Sequence, residues 1–248
     1  MCEIVYNILI TNFTVHRCII RSNAPSNLQM QPLGCIFVYA LNCITFGTAI
    51  DPAAGSGNFL TETYLSLRRL ENEALYEENH GQMLLGVKGE YNPIQVSIGQ
   101  FYGIEINDFA VTVAKTALWI AESQMMQETE KLMQINLNFL PLKSYANIVE
   151  GNALRIDWES VVPKEKLNYI MGNPPFVGYS LQSKEQKSDI LSIYIDEKGK
   201  PYKTAGKIDY VAGWYFKATM LMIGTEIRTA FVSTNSITQG EQVAGVWK

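Results

Sequence analysis

The sequence predicts an α/β fold, a doubly wound parallel sheet with helices on both faces. Three observations carry that expectation. From Ile44 onward, short apolar runs of strand character alternate with longer segments of helical period. A glycine-bearing turn, residues 51–60, joins the first apolar run to the first helical one. The next three strand-like runs each end in a stretch that carries Gly, Asn or both.

The elements follow in order. Residues 44–50 read as a strand, and residues 58–79 as a long helix with Phe59, Leu60, Tyr64, Leu67 and Leu70 on one face. Residues 101–106 form a second strand, and residues 108–126 a second helix capped by Asn107 or Asp108. Residues 146–149 and 167–171 are the third and fourth strands. After a polar loop at residues 196–207 come an apolar helix at 208–223, a fifth strand at 228–233, and the start of another helix at 240–248. There are no internal repeats.

The 248 residues, 47% hydrophobic and 18% charged, suit one large α/β domain or two small ones. The net charge of -4 is unlike that of a self-sufficient DNA-binding module. Either a DNA-gripping surface lies elsewhere or nucleic acid is not the substrate. The 4 cysteines (Cys2, Cys18, Cys35 and Cys43) form no C-x-x-C pair, which argues against zinc and a disulfide framework, so no metal is expected. The start lacks the basic region of a signal peptide, and the apolar run at 35–50 is too short to span a membrane, so a cytoplasmic protein is expected. Residues 1–43 read differently from the rest. Their only charges are Glu3, Arg17 and Arg21, and Pro25 and Pro32 interrupt them. They form either a small accessory subdomain or a poorly ordered leader not native to the domain at 44–248.

The turn Asp51-Pro52-Ala53-Ala54-Gly55-Ser56-Gly57-Asn58-Phe59-Leu60 lies where open α/β sheets bind nucleotides. It is not a dinucleotide fingerprint, since position 60 is Leu, and no G-K-[ST] marks a phosphate loop. Without a phosphate-binding lysine it suits a ligand with a cationic centre, a carboxylate and an amine. A bare glycine-rich turn with no ligand is the alternative. Glu105 ends the second strand beside Ile106 and offers two acceptor oxygens to a ribose diol. After the third strand, the Asn152 amide beside Ala153 can donate to and accept from an adenine edge, or can simply be a turn residue.

The fourth strand ends in Gly172-Asn173-Pro174-Pro175-Phe176. Two prolines fix the backbone and remove two N–H donors, which leaves carbonyls free beside the Asn173 carboxamide. Two neighbouring acceptors can take both hydrogens of an exocyclic amine. That pulls its nitrogen toward tetrahedral geometry and frees its lone pair for attack on a methyl sulfonium. Phe176 can stack on the base, which must be flipped out of a duplex to arrive there. A rigid turn is the alternative reading of the tetrapeptide. Order adds weight, because all four motifs end successive strands and would line one rim.

D-P-A-x-G-S-G-N-F-L, G-I-E-I-N, G-N-A-L-x-I-D-W and G-N-P-P-F-V-G together resemble the gamma-type N6-adenine DNA methyltransferases. Residues 182–187, 209–215 and 231–242 narrow the resemblance to the MmeI-like branch, in which methyltransferase, target recognition and often nuclease activities share one chain. The resemblance covers residues 45–248. It implies a Rossmann-like class I fold that binds S-adenosyl-L-methionine and methylates N6 of a flipped adenine in double-stranded DNA, within a restriction–modification system. Asp51, Pro52, Ala53, Gly55, Gly57, Asn58 and Phe59 would hold the methionine part, Glu105 with Ile106 the ribose, and Asn152 with Ala153 the adenine. Asn173, Pro174, Pro175 and Phe176 would hold the target base, and Asp209 and Tyr210 would start a helix beside the pocket. Ala54 stands where Cys is often found, with little expected effect. The family's helix upstream of the first strand is not evident in residues 1–43. The last two strands of such a fold and the basic target-recognition region are not found up to Lys248, so a truncated domain is expected, marginally stable and inactive on DNA by itself, or else a fragment that works only with another chain. RNA or protein-glutamine methylation, which also uses N-P-P-[YF], and an inactive remnant are the alternatives.

Overall fold

The computed structural model describes residues 47–78, 93–134, 137, 146–196, 198–239 and 242–243. The cysteines, the leader at 1–43 and most of the helix expected at 240–248 lie outside the described residues. Five parallel strands form one sheet: β1 (Ala49–Asp51), β2 (Phe101–Glu105), β3 (Asn147–Glu150), β4 (Tyr169–Gly172) and β5 (Arg228–Phe231). Their order is β3-β2-β1-β4-β5, so the chain reverses its direction of winding between β1 and β4. Parallel pairing brings every strand's carboxyl end to the same rim, and the reversal opens a crevice there.

Among the described residues, four α-helices cover the sheet: α1 (Asn58–Glu78), α2 (Asp108–Met133), α3 (Lys184–Ile193) and α4 (Ala212–Met222). On one face, Leu60 and Tyr64 of α1 pack with Ala114 and Leu118 of α2 against Phe101 and Ile148. On the other, Ile190 of α3 and Trp214 and Ala218 of α4 pack with Trp158 against Ile50 and Ile170. The two separate cores make the doubly wound, mixed α/β fold that the alternating pattern predicts. Asn107 caps α2 by accepting the Ala110 N–H at 3.0 Å, which is worth about 1 kcal/mol.

The differences from the expected elements have local causes. β1 includes Asp51, one residue past the expected end, because Asp51 is still paired with Gly103 of β2. α2 runs on to Met133 rather than Met126. Its polar last turns are held by Thr129, which is buried against Arg68 and Asn72, and Gln134 closes the helix at φ 53. α3 was not expected at all. Only Asp189 and Ile190 of it are buried, too narrow a stripe to show a period, and its start is a capping box between Ser183 and Gln186. α4 begins at Ala212, not 208, because the Asp209 carboxylate is engaged elsewhere, by the Tyr179 N–H and the Ser236 hydroxyl. β5 ends at Phe231, although the Val232 N–H still reaches the Gly172 carbonyl. No described helix is long and apolar enough to cross a membrane.

A buried ion pair sits between α1 and α2. Arg68 bonds Glu71, and its other guanidinium nitrogen donates to Thr129 at 2.7 Å. Glu71 also accepts the N–H groups of Gln95 and Val96, which fixes the approach to β2. Removing one partner strands a charge in the core. Arg68→Met is expected to destabilise the chain by about 3–5 kcal/mol, and Arg68→Met with Glu71→Gln by less, measured by urea unfolding.

Candidate functional site

The crevice at the switch point is a cleft of about 610 Å³. The turn after β1 forms its floor. The Ala54 N–H donates to the Ile104 carbonyl, and the Gly57 N–H to that of Ala54. Gly103 makes room for this: a Cβ there would come within 3.1 Å of the Ala54 Cβ. Gly55 has φ +54 and would meet no protein atom with a Cβ, so a side chain there projects into open space. Gly57 differs, since a Cβ at Gly57 would lie 2.9 Å from Ala114 of α2. Trp214 of α4 holds the turn from below, its indole N–H donating to the Pro52 carbonyl at 2.9 Å.

Glu105 connects three segments. One carboxylate oxygen accepts the Gly55 N–H at 2.8 Å and the other the Asn107 N–H at 3.0 Å. Its main-chain carbonyl accepts the Gly151 N–H at 2.8 Å. Each carboxylate oxygen keeps a lone pair for a hydroxyl donor. Ile106, next along, is 67% exposed at the cleft's edge.

At the end of β3, the Asn152 carboxamide is already engaged. Its oxygen accepts the Leu154 N–H at 2.9 Å, and its nitrogen donates to Asp189 at 2.9 Å. Asp189, almost wholly buried, also accepts the Arg155 Nε–H at 2.7 Å and the Tyr210 hydroxyl at 3.0 Å. Burial, together with the hydrogen bond to Asp189 and its charge, pushes the Tyr210 phenol well above its ordinary range. The sequence gives no sign of Asp189 or Arg155 as site residues. Asp189 lies 37 positions from Asn152, on a helix without a visible period.

Across the cleft, Asn173 and Pro175 line the wall. Among the described residues no hydrogen bond engages the Asn173 carboxamide. Pro174 is buried and Phe176 is 46% exposed, beside the cleft rather than in its wall. The segment beyond is tied down by the Tyr210 N–H to the Val177 carbonyl. Of the expected site residues, Pro52, Ala53, Gly55, Glu105, Ile106, Asn152, Ala153, Asn173 and Pro175 come together around one space. Asp51, Gly57, Asn58, Phe59, Pro174 and Phe176 do not line it. Asp51 and Gly57 lie beneath, and Asn58 and Phe59 open α1. Among the described residues no cluster of His, Cys, Asp or Glu could hold a metal ion.

Asp51 is 1% exposed, and a Cβ on Gly172 would collide with its carboxylate. Burial pushes its carboxyl up to about 7. The Ala53 N–H opposes this, and the Glu105 charge adds to it.

The chain matches the family model of the MmeI DNA-methyltransferase domain over residues 40–248. It is 43% identical over 201 residues to DNA methyltransferase A of Bacillus subtilis (strain 168), covering 79% of this chain and 22% of that protein. It is also similar to the solved structure of the Type IIL restriction-modification enzyme MmeI in complex with DNA. There the TM-score is 0.80 and the identity 38%, covering 96% of this chain and 30% of the other. The chain thus spans less than a third of either relative.

Asp51 makes a testable contribution to stability. Its folded pKa lies above its unfolded one, so its contribution is full below about pH 4 and is lost as pH rises through about 7. Between those limits wild type is expected to lose stability relative to Asp51→Asn, on the order of a few kcal/mol, read as the difference between their urea midpoints.

Proposed function

The chain belongs to the family of MmeI DNA-methyltransferase domains, and from that premise we propose that it is the catalytic core that methylates N6 of adenine in DNA. The observation that carries the proposal is spatial order. Sheet order β3-β2-β1-β4 sets Asn152, Glu105, the Gly55 turn and Asn173 side by side along one rim. A ligand whose ribose meets Glu105 then has its base toward Asn152 and its other end toward Asn173.

The residues present fit S-adenosyl-L-methionine. The cleft has the size of a cofactor site, mostly apolar walls and a few directed polar groups. Pro52, Ala53 and Gly55 would hold the amino-acid part, Glu105 the ribose and Asn152 the base. When bound, this cofactor supplies an electrophilic methyl group on a sulfonium. The chain's own part is to prepare the nucleophile. The Asn173 side-chain oxygen and the Pro174 carbonyl accept the two N–H bonds of the adenine amine, which frees its lone pair. After the transfer the methylated nitrogen loses one proton to solvent, since a carboxamide and a main-chain carbonyl can accept a hydrogen bond but are too weakly basic to keep the proton. Pro174 and Pro175 supply rigidity, so the acceptors need no reorganisation at the moment of reaction. Phe176, half exposed beside them, offers a face on which the flipped base stacks.

Double-stranded DNA as partner, and a role within a restriction–modification protein, follow from the same reading. With a net charge of -4, this chain by itself offers little of the basic surface that grips DNA phosphates.

Two variants separate the roles. Gly55→Val fills the open space over the turn and is expected to weaken S-adenosylmethionine binding by at least about tenfold in calorimetry. Asn173→Ala is expected to bind the cofactor as wild type does and to lower tritiated-methyl transfer to duplex DNA by about 10²-fold or more. No binding by wild type, or transfer to RNA or protein in preference to DNA, would overturn the proposal.

A further inference from the structure

The carboxamide of Asn152 is fixed at both of its chemically different ends by the protein's own groups. Its oxygen faces the Leu154 N–H, and its nitrogen faces an oxygen of Asp189, each at 2.9 Å. Turning the amide over would set N–H against N–H and oxygen against oxygen, so one orientation is enforced. The main chain that presents the Leu154 N–H is itself held. The Trp158 indole donates to the Ala153 carbonyl at 2.8 Å, and Lys217 reaches the carbonyls of Ala153, Leu154 and Ile156. Asp189 is held just as firmly. It is 4% exposed, with Arg155 on one oxygen and Tyr210 beside Asn152 on the other.

The Tyr210 hydroxyl also takes an N–H of this amide, so the locked carboxamide offers a ligand one oxygen lone pair at a fixed place, an acceptor that an amine can meet and a carbonyl cannot. A 6-amino purine presents a donor at its amine beside an acceptor at ring nitrogen 1. A 6-oxo purine presents the reverse pattern. A free carboxamide could read either by turning over, but a locked one reads only one.

We propose that Asp189 is the specificity-determining positioning residue of the cofactor cleft. By locking the Asn152 carboxamide against the Leu154 N–H, it makes the cleft select a 6-amino purine over a 6-oxo purine. The proposal rests on the cofactor reading above and adds to it the source of base selectivity. Asp189 acts through Asn152, and Arg155 and Tyr210 act through Asp189. Arg155 contributes through its Nε alone, and its side chain is 59% exposed.

The test is a pair of calorimetric titrations of the chain, with S-adenosylhomocysteine and with its 6-oxo analogue S-inosylhomocysteine. Wild type is expected to prefer the adenosyl ligand by about 10²-fold or more. Asp189→Ala removes half of the lock, and the preference is expected to fall by about tenfold. Asp189→Leu, which fills the vacated space, makes the same test should the alanine variant lose its circular-dichroism signature of folding. Asp189→Asn is expected to restore the preference. Its amide oxygen can face Asn152 and Tyr210, while the exposed Arg155 side chain swings into solvent. A merely structural Asp189 would weaken both ligands alike, and an unchanged preference in the alanine or leucine variant overturns the proposal. Equal binding of both ligands by wild type overturns it too while leaving the cofactor reading intact. Binding of neither overturns both.

Discussion

Glu105 is the joint from which the cleft hangs. Through two carboxylate oxygens and one carbonyl it accepts N–H groups from the β1 turn, the start of α2 and the turn after β3. A glycine-rich turn has little conformational preference of its own, so its shape must be imposed from outside. Gly55, at φ +54, is bound to Glu105 at 2.8 Å. An acidic side chain at the end of β2 therefore has a structural task as well as the ribose-binding task proposed for it. Loss of that carboxylate would release the turn as well as a ligand contact.

The sheet and its rim were legible because each strand carries both an apolar run and a terminal motif. The expected bounds of β2, β3 and β4 lie within about two residues of the observed ones at each end. Gly55, Glu105, Asn152 and Asn173 do meet around one space. The legible part ends where the wall of that space comes from outside the strand ends. Asp189 and Arg155 carry no local signature, and Asp189 sits on a helix whose buried residues are too few to show a period. Hydrogen bonds across 34 and 37 positions are tertiary facts. Asp209 misled for the opposite reason. It looks like a helix start, yet its carboxylate accepts from Tyr179 and Ser236 and ties together the segments after β4 and β5.

Beneath the turn, the fold tolerates an unfavourable pairing. Asp51 is buried without a cation among its hydrogen-bond partners, and the Glu105 charge raises its carboxyl further. Gly172 lets the neighbouring strand approach that carboxylate. Evolution could have removed the cost with an apolar residue. A cationic ligand in the cleft would offset it, since it favours the ionised form that burial disfavours. On the proposed reading, the protein accepts that loss of stability in exchange for a floor matched to a sulfonium and an ammonium.

One helix holds both turns that flank the cleft. Trp214 and Lys217 are three residues apart on α4 and so lie on one face. Trp214 holds the Pro52 carbonyl beside β1, and Lys217 holds the Ala153 carbonyl beside β3. The two turns that flank the space are thus tied to the same helix. Burial brings the Lys217 ammonium down to about 8, with the Asp157 charge opposing, which leaves it charged at neutral pH to bridge several carbonyls at once. Such a helix cannot adjust one anchor without moving the other. Both loops therefore hold their separation before any ligand arrives, so binding need not supply the free energy to order them. That rigidity also gives a locked Asn152 its meaning, since a fixed amide discriminates only if the opposite wall is fixed as well.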